Sequence, residues 1–349
     1  MSSPFMALAA ELAGHGWPAP NPRVGCVLVS SGRVVGRGHH ERKGTAHAEV
    51  VALRDAGELA RGATAFVTLE PCDHQGLTPP CSLALLEAGV SRVVFAEHDP
   101  NPKAGGGAQR LREAGIEVVH EPCKEASAVN VAFLAAQRMG RPYVMAKAAL
   151  TADGFMARPD GTSKWITGDV ARAAGHGLRA EAGTVLVGAE TAVLDEPQLT
   201  VRAFEPGWQP QRFVIDPHRR VGSGSPLFAG EPARRVVTSK DAGEDELGVP
   251  QRDGSLDLDV LVEILFAQGL TSVLIEGGPT TIQRFAIHGL IDRFDLFTAP
   301  VHFGEGRRLA LPQGLALSRV RCLGPDVWAT YTKPGEPAAL PEWERSLRR

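Results

Sequence analysis

Three side chains between positions 47 and 81 constrain this chain more than any other part of it. The stretch opens with His47-Ala48-Glu49 and closes with Thr68-Leu69-Glu70-Pro71-Cys72-Asp73-His74-Gln75-Gly76-Leu77-Thr78-Pro79-Pro80-Cys81. One imidazole and two thiols supply three protein ligands for a tetrahedral zinc ion, with the fourth position left to water. Zinc brings the pKa of that water to roughly 7, so a nucleophile exists at neutral pH. Glu49, two residues beyond His47, can carry protons without binding the metal. Taken singly these residues say little: a lone histidine is more often packed or solvated, and buried cysteines mostly behave as small hydrophobes. The ordered set, with Pro71 directly before Cys72, is specific. Any fold of this chain must bring His47, Cys72 and Cys81 together.

H-x-E followed by P-C and a second cysteine is the pattern of zinc nucleobase deaminases, in which the glutamate is the general acid–base. The interval from Cys72 to Cys81 is longer than the P-C-x-x-C of that signature, which predicts a variant subfamily. The 349 residues predict about two domains. A hydrophobic share of 43% with 22% charged residues belongs to an ordinary globular protein. The net charge of −3 and an aromatic share of only 6% argue against a broad nucleic-acid-binding surface, so small molecules are the expected partners and nucleic acid is not. Five cysteines, an odd number, do not form a secreted disulfide framework. The first residues lack a basic segment and a long apolar core, and no apolar run approaches the roughly 20 residues that span a bilayer. The expectation is a cytoplasmic protein without membrane association.

Phe5, Met6, Leu8, Ala9, Leu12 and Ala13 recur at helical spacing and predict a first helix. A proline-rich entry leads to strand 24–29, which turns at Ser30-Ser31-Gly32 and pairs back over 34–38. A helix over about 46–55 carries His47 and Glu49 at its start. Strand 65–69, helix 82–88, strand 90–95, helix 108–114, strand 116–119 and a helix over 124–139 follow. This alternation implies a parallel-rich, three-layer α/β sheet. Asn21 reads as a turn residue or as an amide facing a base edge, and His40, seven residues before His47, can face the same pocket.

Gly140-Arg141-Pro142 breaks the last of these helices and marks a boundary between residues 1–141 and 142–334, with 335–349 a polar tail in which Leu340 and Trp343 are able to dock. Beyond the boundary, strands are predicted at 143–150, 184–187, 212–215, 272–275, 294–298 and 327–331, and helices at 169–182 and 258–268. Segments 222–233 and 241–256 look loop-rich. Glu276 at a strand end, followed by Gly277-Gly278-Pro279-Thr280 and a helix start, has the form of a phosphate cradle, although a glycine pair after a strand is often only a turn. It is not the G-x-G-x-x-G dinucleotide fingerprint. Lys147, Arg179, Asp195 and Arg202 are single charges whose ordinary reading is solvated surface.

With both halves read, the chain resembles the bifunctional riboflavin-biosynthesis deaminase–reductases of the RibD family. The matching stretches are PNPRVGCVLV, HAEVVAL, TLEPCDHQGLTPPC, DPNP, SKWIT, LRAEAGTVLVG, DEPQLTVR, and IEGGPTTI followed by HGLIDR, and they cover nearly the whole chain. The resemblance implies an N-terminal cytidine-deaminase-like three-layer α/β/α domain and a C-terminal α/β domain resembling dihydrofolate reductase. It implies zinc held by His47, Cys72 and Cys81, with Glu49 moving protons during hydrolytic deamination of a diaminopyrimidinone ribosylamine 5′-phosphate. Asn21, His40 and His74 match family positions that touch this substrate. The second domain is implied to take NADPH and to reduce the ribosyl group to ribityl. There Lys147, Ser163, Arg179, Asp195, Arg202 and Glu276 match positions around the substrate. Trp165, Thr167, Gly188, Gly277, Gly278, Pro279 and Thr280 match positions along the dinucleotide.

Several positions depart from the family pattern. Leu77 stands where the family usually has a basic residue that meets the substrate phosphate, with Arg42 and Lys43 as nearby cations able to substitute. Asp195-Glu196-Pro197 replaces D-D-P, Thr151-Ala152-Asp153-Gly154 replaces S-L-D-G, Glu190 replaces a small glycine near the cofactor, and the loop around Gly105 is one residue short. Two other readings compete: a nucleic-acid base editor with the same zinc chemistry, and a deaminase, or paralogue for a related pyrimidine, whose reductase half is inactive or repurposed. A fusion of two small-molecule domains is expected to be a homo-oligomer.

Overall fold

Strand β1 (Gly25–Ser30) is buried along nearly its whole length because helices cover both faces of its sheet. Its alternate residues part accordingly, Cys26 and Leu28 to one side, Val27 and Val29 to the other. In the computed structural model, which describes residues 3–76, 78–102, 104–204, 207–230 and 233–336, the chain forms two units that meet in sequence between Arg138 and Met139. In the first, β1 pairs antiparallel with β2 (Arg33–His39) and β3 (Thr64–Leu69). Strands β4 (Arg92–Glu97) and β5 (Glu117–His120) then add in parallel, giving the order β2-β1-β3-β4-β5. The sheet is thus mixed, with parallel pairing confined to the crossover strands.

Helix α1 (Pro4–Ala13) packs Met6, Ala9 and Ala10 on one face of this sheet. Helices α2 (Ala48–Ala56), α3 (Cys81–Glu87) and α4 (Gly107–Glu113) cover the other with Ala48, Ala52, Leu85 and Leu111. These are the three expected layers. The alanine face of α2 lets it lie close on β2: a Cβ at Gly38 would stand 2.2 Å from the Ala48 carbonyl oxygen. That contact fixes the start of α2, where His47 and Glu49 sit. The helix expected over 124–139 is instead two, α5 (Lys124–Val129) and α6 (Val131–Met139). Asn130 interrupts them because its carboxamide accepts from Arg23 N–H (2.8 Å) and donates to Arg23 C=O (2.7 Å), a pairing stronger than its place in a helix.

The second unit is built on a nine-stranded sheet. It comprises β6 (Tyr143–Thr151), β8 (Thr184–Gly188), β9 (Gln211–Ile215), β10 (Ala233–Thr238), β11 (Leu247–Val249), β14 (Ser272–Glu276), β15 (Arg293–Ala299), β17 (Ala316–Leu323) and β18 (Asp326–Thr332), in the order β11-β10-β9-β8-β14-β6-β15-β18-β17. All pairings from β11 to β15 are parallel, and the β15-β18-β17 edge is antiparallel. Short strands β7 (Phe155–Ala157) and β16 (Arg307–Arg308) pair beside it, and β12 (Gln251–Arg252) with β13 (Ser255–Leu256) makes a small hairpin. Helices α9 (Leu258–Ala267) and α10 (Pro279–Ile287) bury Leu261, Leu265, Ile282 and Phe285 against Val144, Leu186 and Ile275. Helix α7 (Asp169–Ala182) packs against β8 and β14.

The segment 241–256, expected to be loop-rich, holds β11, β12 and β13; β10 forms between the two expected loops, where no strand was assigned, and α8 (Ala189–Asp195) follows β8 where no helix was expected. The expected docking of Leu340 and Trp343 lies outside the described residues. Among the described residues, no helix is long and apolar enough to cross a membrane.

Candidate active sites

His47 is the N-cap of α2, with φ −71° and ψ 161°, so its extended backbone turns the ring out of the helix entry. Its Nδ1 lies 3.6 Å from Cys72 Sγ and 3.3 Å from Cys81 Sγ. The three ligand atoms all lie within 4.8 Å of one another. Tetrahedral bonds of about 2.3 Å to sulfur and about 2.0–2.1 Å to nitrogen hold ligand atoms roughly 3.5–3.8 Å apart, so this set fits zinc. On the far side of the ring, Nε2 stands 3.3 Å from Thr78 Oγ1, which orients the imidazole with Nδ1 toward the two sulfurs. The Cys81 N–H donates to Cys72 Sγ at 3.5 Å. Hydrogen bonding from Cys81 draws the Cys72 thiol down to about 4, while Cys81, sharing that proton and buried, moves up. A dication bound here would hold both sulfurs as thiolates.

A cavity of about 250 Å³ opens over His47 and Cys72. Glu49 lines it at 3% exposure, and burial followed by the Cys72 charge pushes its carboxyl up to about 7. Asn21, His40 and His74 line it too. His40 Nδ1–H donates to Ala46 C=O (3.2 Å) and its Nε2 accepts from Asn21 Nδ2 (3.3 Å), two bonds that one neutral tautomer satisfies. Burial holds this imidazole down to about 4. Its ring meets His47 edge-on at 5.0 Å. Lys43, Asp99 and Asn101 also line the cavity. Asp99 accepts from Asn101 N–H at 2.9 Å, and burial pushes its carboxyl up to about 6. Asp99-Pro100-Asn101-Pro102 matches the family pattern in sequence without a site role assigned to Asp99; a loop packed with polar and proline residues after a strand is the signal that points to one. Leu77 lies outside the described residues.

In the second unit a cavity of about 630 Å³ gathers Lys147, Ser163, Trp165, Thr167, Arg179, Asp195, Arg202 and Glu276. Glu276 closes β14 opposite Lys147 of β6, beyond which parallel sheets bind their ligands. Arg179 reaches from α7 to grip Glu276 with both arms of its fork, Nε to Oε1 at 2.5 Å and Nη2 to Oε2 at 2.9 Å, and donates from Nη1 to Thr200 C=O at 2.8 Å. Burial raises the Glu276 carboxyl, but Arg179 and then Lys147 outweigh it and hold the group below its usual range. Burial lowers Lys147, with Glu276 opposing. Ser163 Oγ stands 3.4 Å from both Asp195 carboxylate oxygens.

A neighbouring cavity of about 280 Å³ is lined by Gly188, Glu190, Thr191, His218, Arg220, Gly278 and Thr280. Pro279 opens α10 at its first turn. Gly277 has φ +76°, and a Cβ there would stand 2.4 Å from Thr191 Cγ2. The turns after β8 and β14 are therefore pressed together, exposing backbone to an incoming ligand as a phosphate cradle requires. With His218 and Arg220 beside it, the cavity fits an anionic dinucleotide. Glu190, the acidic departure at this place, is neutralised by Arg307 at 2.7 Å.

Residues 1–97 match the family model of the cytidine and deoxycytidylate deaminase zinc-binding region, and residues 142–328 match that of the RibD C-terminal domain. The riboflavin biosynthesis protein RibD of Escherichia coli (strain K12) is 40% identical over 364 residues, covering 93% of this chain and 97% of its own. That of Aquifex aeolicus (strain VF5) is 41% identical over 312 residues, covering 86% and 88%. The chain belongs to the RibD family. Acinetobacter baumannii RibD in its first crystal form superposes with a TM-score of 0.85 at 37% identity, over 94% of this chain and 97% of that one. A Thermotoga maritima diaminohydroxyphosphoribosylaminopyrimidine deaminase/5-amino-6-(5-phosphoribosylamino)uracil reductase does so with a TM-score of 0.81 at 33% identity, over the same shares. As a RibD member the protein is a bifunctional enzyme of riboflavin biosynthesis, with a zinc deaminase half and a reductase half that uses NADPH. Its substrates are small molecules, and the half-active reading is not favoured.

Proposed function

We propose that the first unit hydrolytically deaminates 2,5-diamino-6-ribosylamino-4(3H)-pyrimidinone 5′-phosphate and that the second reduces the product's ribosyl group to ribityl. The observation that carries this reading is one cavity joining His47 and Cys72 of the His47-Cys72-Cys81 triangle to the buried Glu49 carboxyl, within a chain that also carries a reductase domain. Bound zinc supplies an acidified water, with a pKa of roughly 7. Glu49 takes a proton and returns it to the departing amine, a task suited to a carboxyl whose pKa lies near neutrality. Asn21 and His40, locked to each other, hold the pyrimidine edge with His74 and Asp99. Lys43 is the only lysine or arginine among the described residues lining this cavity, and it meets the 5′-phosphate in place of the cation absent at Leu77.

In the second unit Gly188, Gly277, Gly278, Pro279 and Thr280 form the cradle for the dinucleotide phosphates, with Trp165 and Thr167 along the nicotinamide half. Bound NADPH supplies the hydride, and the opened C1′ of the ribose accepts it. Lys147, Ser163 and Asp195 surround the sugar hydroxyls. Arg202 meets the 5′-phosphate, while Arg179 and Glu276 brace each other behind it. The reading includes a cytoplasmic enzyme, since thiolate ligands need a reducing compartment. It includes a homo-oligomer, supported by the open β17 edge with Leu317 and Val320 at 56% and 54% exposure.

The test gives purified protein the diaminopyrimidinone ribosylamine phosphate with and without NADPH, and follows ammonia and NADPH separately. Ammonia in both arms, with NADPH consumed in the second, is expected. Ammonia without NADPH loss would leave a deaminase with a repurposed second half, and neither signal would overturn the substrate assignment.

A further inference from the structure

The segment that carries Arg202 has no regular structure, and side chains hold its backbone from both sides. Thr200 C=O accepts from Arg179 Nη1 at 2.8 Å and lies 2.9 Å from His176 Nδ1. Val201 exchanges two bonds with the Gln209 carboxamide, its N–H donating to Oε1 at 2.7 Å and its C=O accepting from Nε2 at 3.0 Å. The Arg202 N–H lies 3.2 Å from His176 Nδ1. One imidazole nitrogen thus touches both ends of the Thr200–Arg202 backbone. A protonated Nδ1 donates to the Thr200 carbonyl and a bare one accepts from Arg202 N–H, so either neutral tautomer pins the segment to α7. The shorter contact favours the donor.

His176 is placed for this by helical spacing. Arg172, His176 and Arg179 follow one another on the face of α7 that lines the 630 Å³ cavity. At the far end of the clamp the Arg202 guanidinium lines the same cavity, its Nη1 aligned by Gln198 Oε1 (3.0 Å) and Thr200 Oγ1 (3.2 Å). Burial and then the charges of Arg179 and Arg202 hold His176 down to about 4, so it braces a cationic site without adding to its charge.

We propose that His176 is a positioning residue that sets where Arg202 meets the anionic end of the reductase substrate. This rests on the reading of Arg202 as the phosphate contact. An arginine that aligns only when its backbone is pinned loses its grip when the pin is removed, whereas groups around the sugar are untouched.

The experiment measures steady-state reduction of the deaminated substrate, with and without its 5′-phosphate, in His176→Phe, His176→Asn, Arg202→Ala and the double variant His176→Phe/Arg202→Ala. Losing the alignment of one charge-assisted contact raises KM about tenfold. His176→Phe is expected to raise KM by that factor for the phosphorylated substrate, with kcat changing less than KM and with no change in KM for the dephosphorylated one. Asparagine places an amide where Nδ1 stands and is expected to restore most of the loss. Adding Phe to Arg202→Ala is expected to raise KM no further, because both act on one contact. Ammonia release by the first unit and the melting temperature report whether the variants fold.

An unchanged KM in a folded His176→Phe variant whose Arg202→Ala counterpart is impaired overturns the positioning role. So does a fall in kcat alone, or additive losses in the double variant. If Arg202→Ala itself leaves KM unchanged, it is the reading of Arg202 as the phosphate contact that fails.

Discussion

Replacing Glu276 by glutamine should destabilise the second unit by about 3–5 kcal/mol, the range for removing one partner of a buried pair. Arg179 and Glu276 are 15% and 10% exposed at their side chains and share two hydrogen bonds, at 2.5 and 2.9 Å. Glutamine keeps an oxygen for one arm of the guanidinium but sets an NH₂ against the other, losing a charge-assisted bond of about 1.5–3 kcal/mol. The half-buried Lys147 loses a counter-charge in the same step. In a unit of this size each kcal/mol moves the melting temperature by about 2–4 °C, so a fall of roughly 6–20 °C is expected. Differential scanning calorimetry of wild type and variant measures it, with the first unit's transition as an internal reference.

The effect has a pH signature. The folded Glu276 carboxyl lies below its unfolded value of 4.5, so its stabilisation is complete above that value and is lost as pH falls through the folded pKa. The gap between the two proteins should therefore stay constant from roughly pH 5 to 8 and narrow in more acid buffer. A shift under about 2 °C at pH 7 would refute the reasoning, since it would make this pair worth no more than an exposed ion pair of ~1 kcal/mol or less.

Glu49→Gln should keep its zinc, read by metal analysis, yet slow ammonia release by about 10²–10⁴-fold while reduction of already deaminated substrate persists; retained deamination would remove Glu49 from the mechanism. Lys43→Ala should raise the deaminase KM roughly 10- to 100-fold for the phosphorylated substrate, with Lys43→Arg restoring it; equal losses on a dephosphorylated substrate would show that Lys43 does not read the phosphate. Gly277→Ala forces a Cβ to 2.4 Å from Thr191 Cγ2 at φ +76°. It should cost about 1–3 kcal/mol of stability and weaken NADPH binding measured by fluorescence quenching, and an unchanged affinity would dissociate this turn from the cofactor.

The parts of the fold legible in the sequence are those whose cause is local. A short continuous apolar run wrote β1, and the apolar stripe of α1 needed no partner to be recognised. The zinc triangle was legible because metal geometry demands particular atoms in a particular order, and His47, Cys72 and Cys81 keep that order across 34 positions. His40 was within reach of the same logic, since His40 and His47 bracket a single loop whose ends meet at Ala46 C=O.

What the sequence did not show depends on partners distant along the chain. Asn130 ends a helix because its amide finds Arg23, 107 residues away, and no local propensity announces that bond. Strand β10, one in from the β11 edge of the parallel sheet, was not assigned, because Arg234 and Arg235 leave only the short core pair Val236 and Val237 as an apolar signal. Charge was the hardest to read. Arg179 and Arg202 stood in the sequence as comparable single charges, and only the fold separates them. Arg179 spends its fork on Glu276 and a carbonyl, whereas Arg202 keeps its guanidinium at the cavity wall. A sequence motif can gather charged residues at a site. Their pairing decides which remains to meet a ligand, and pairing is a property of side-chain geometry in the folded chain.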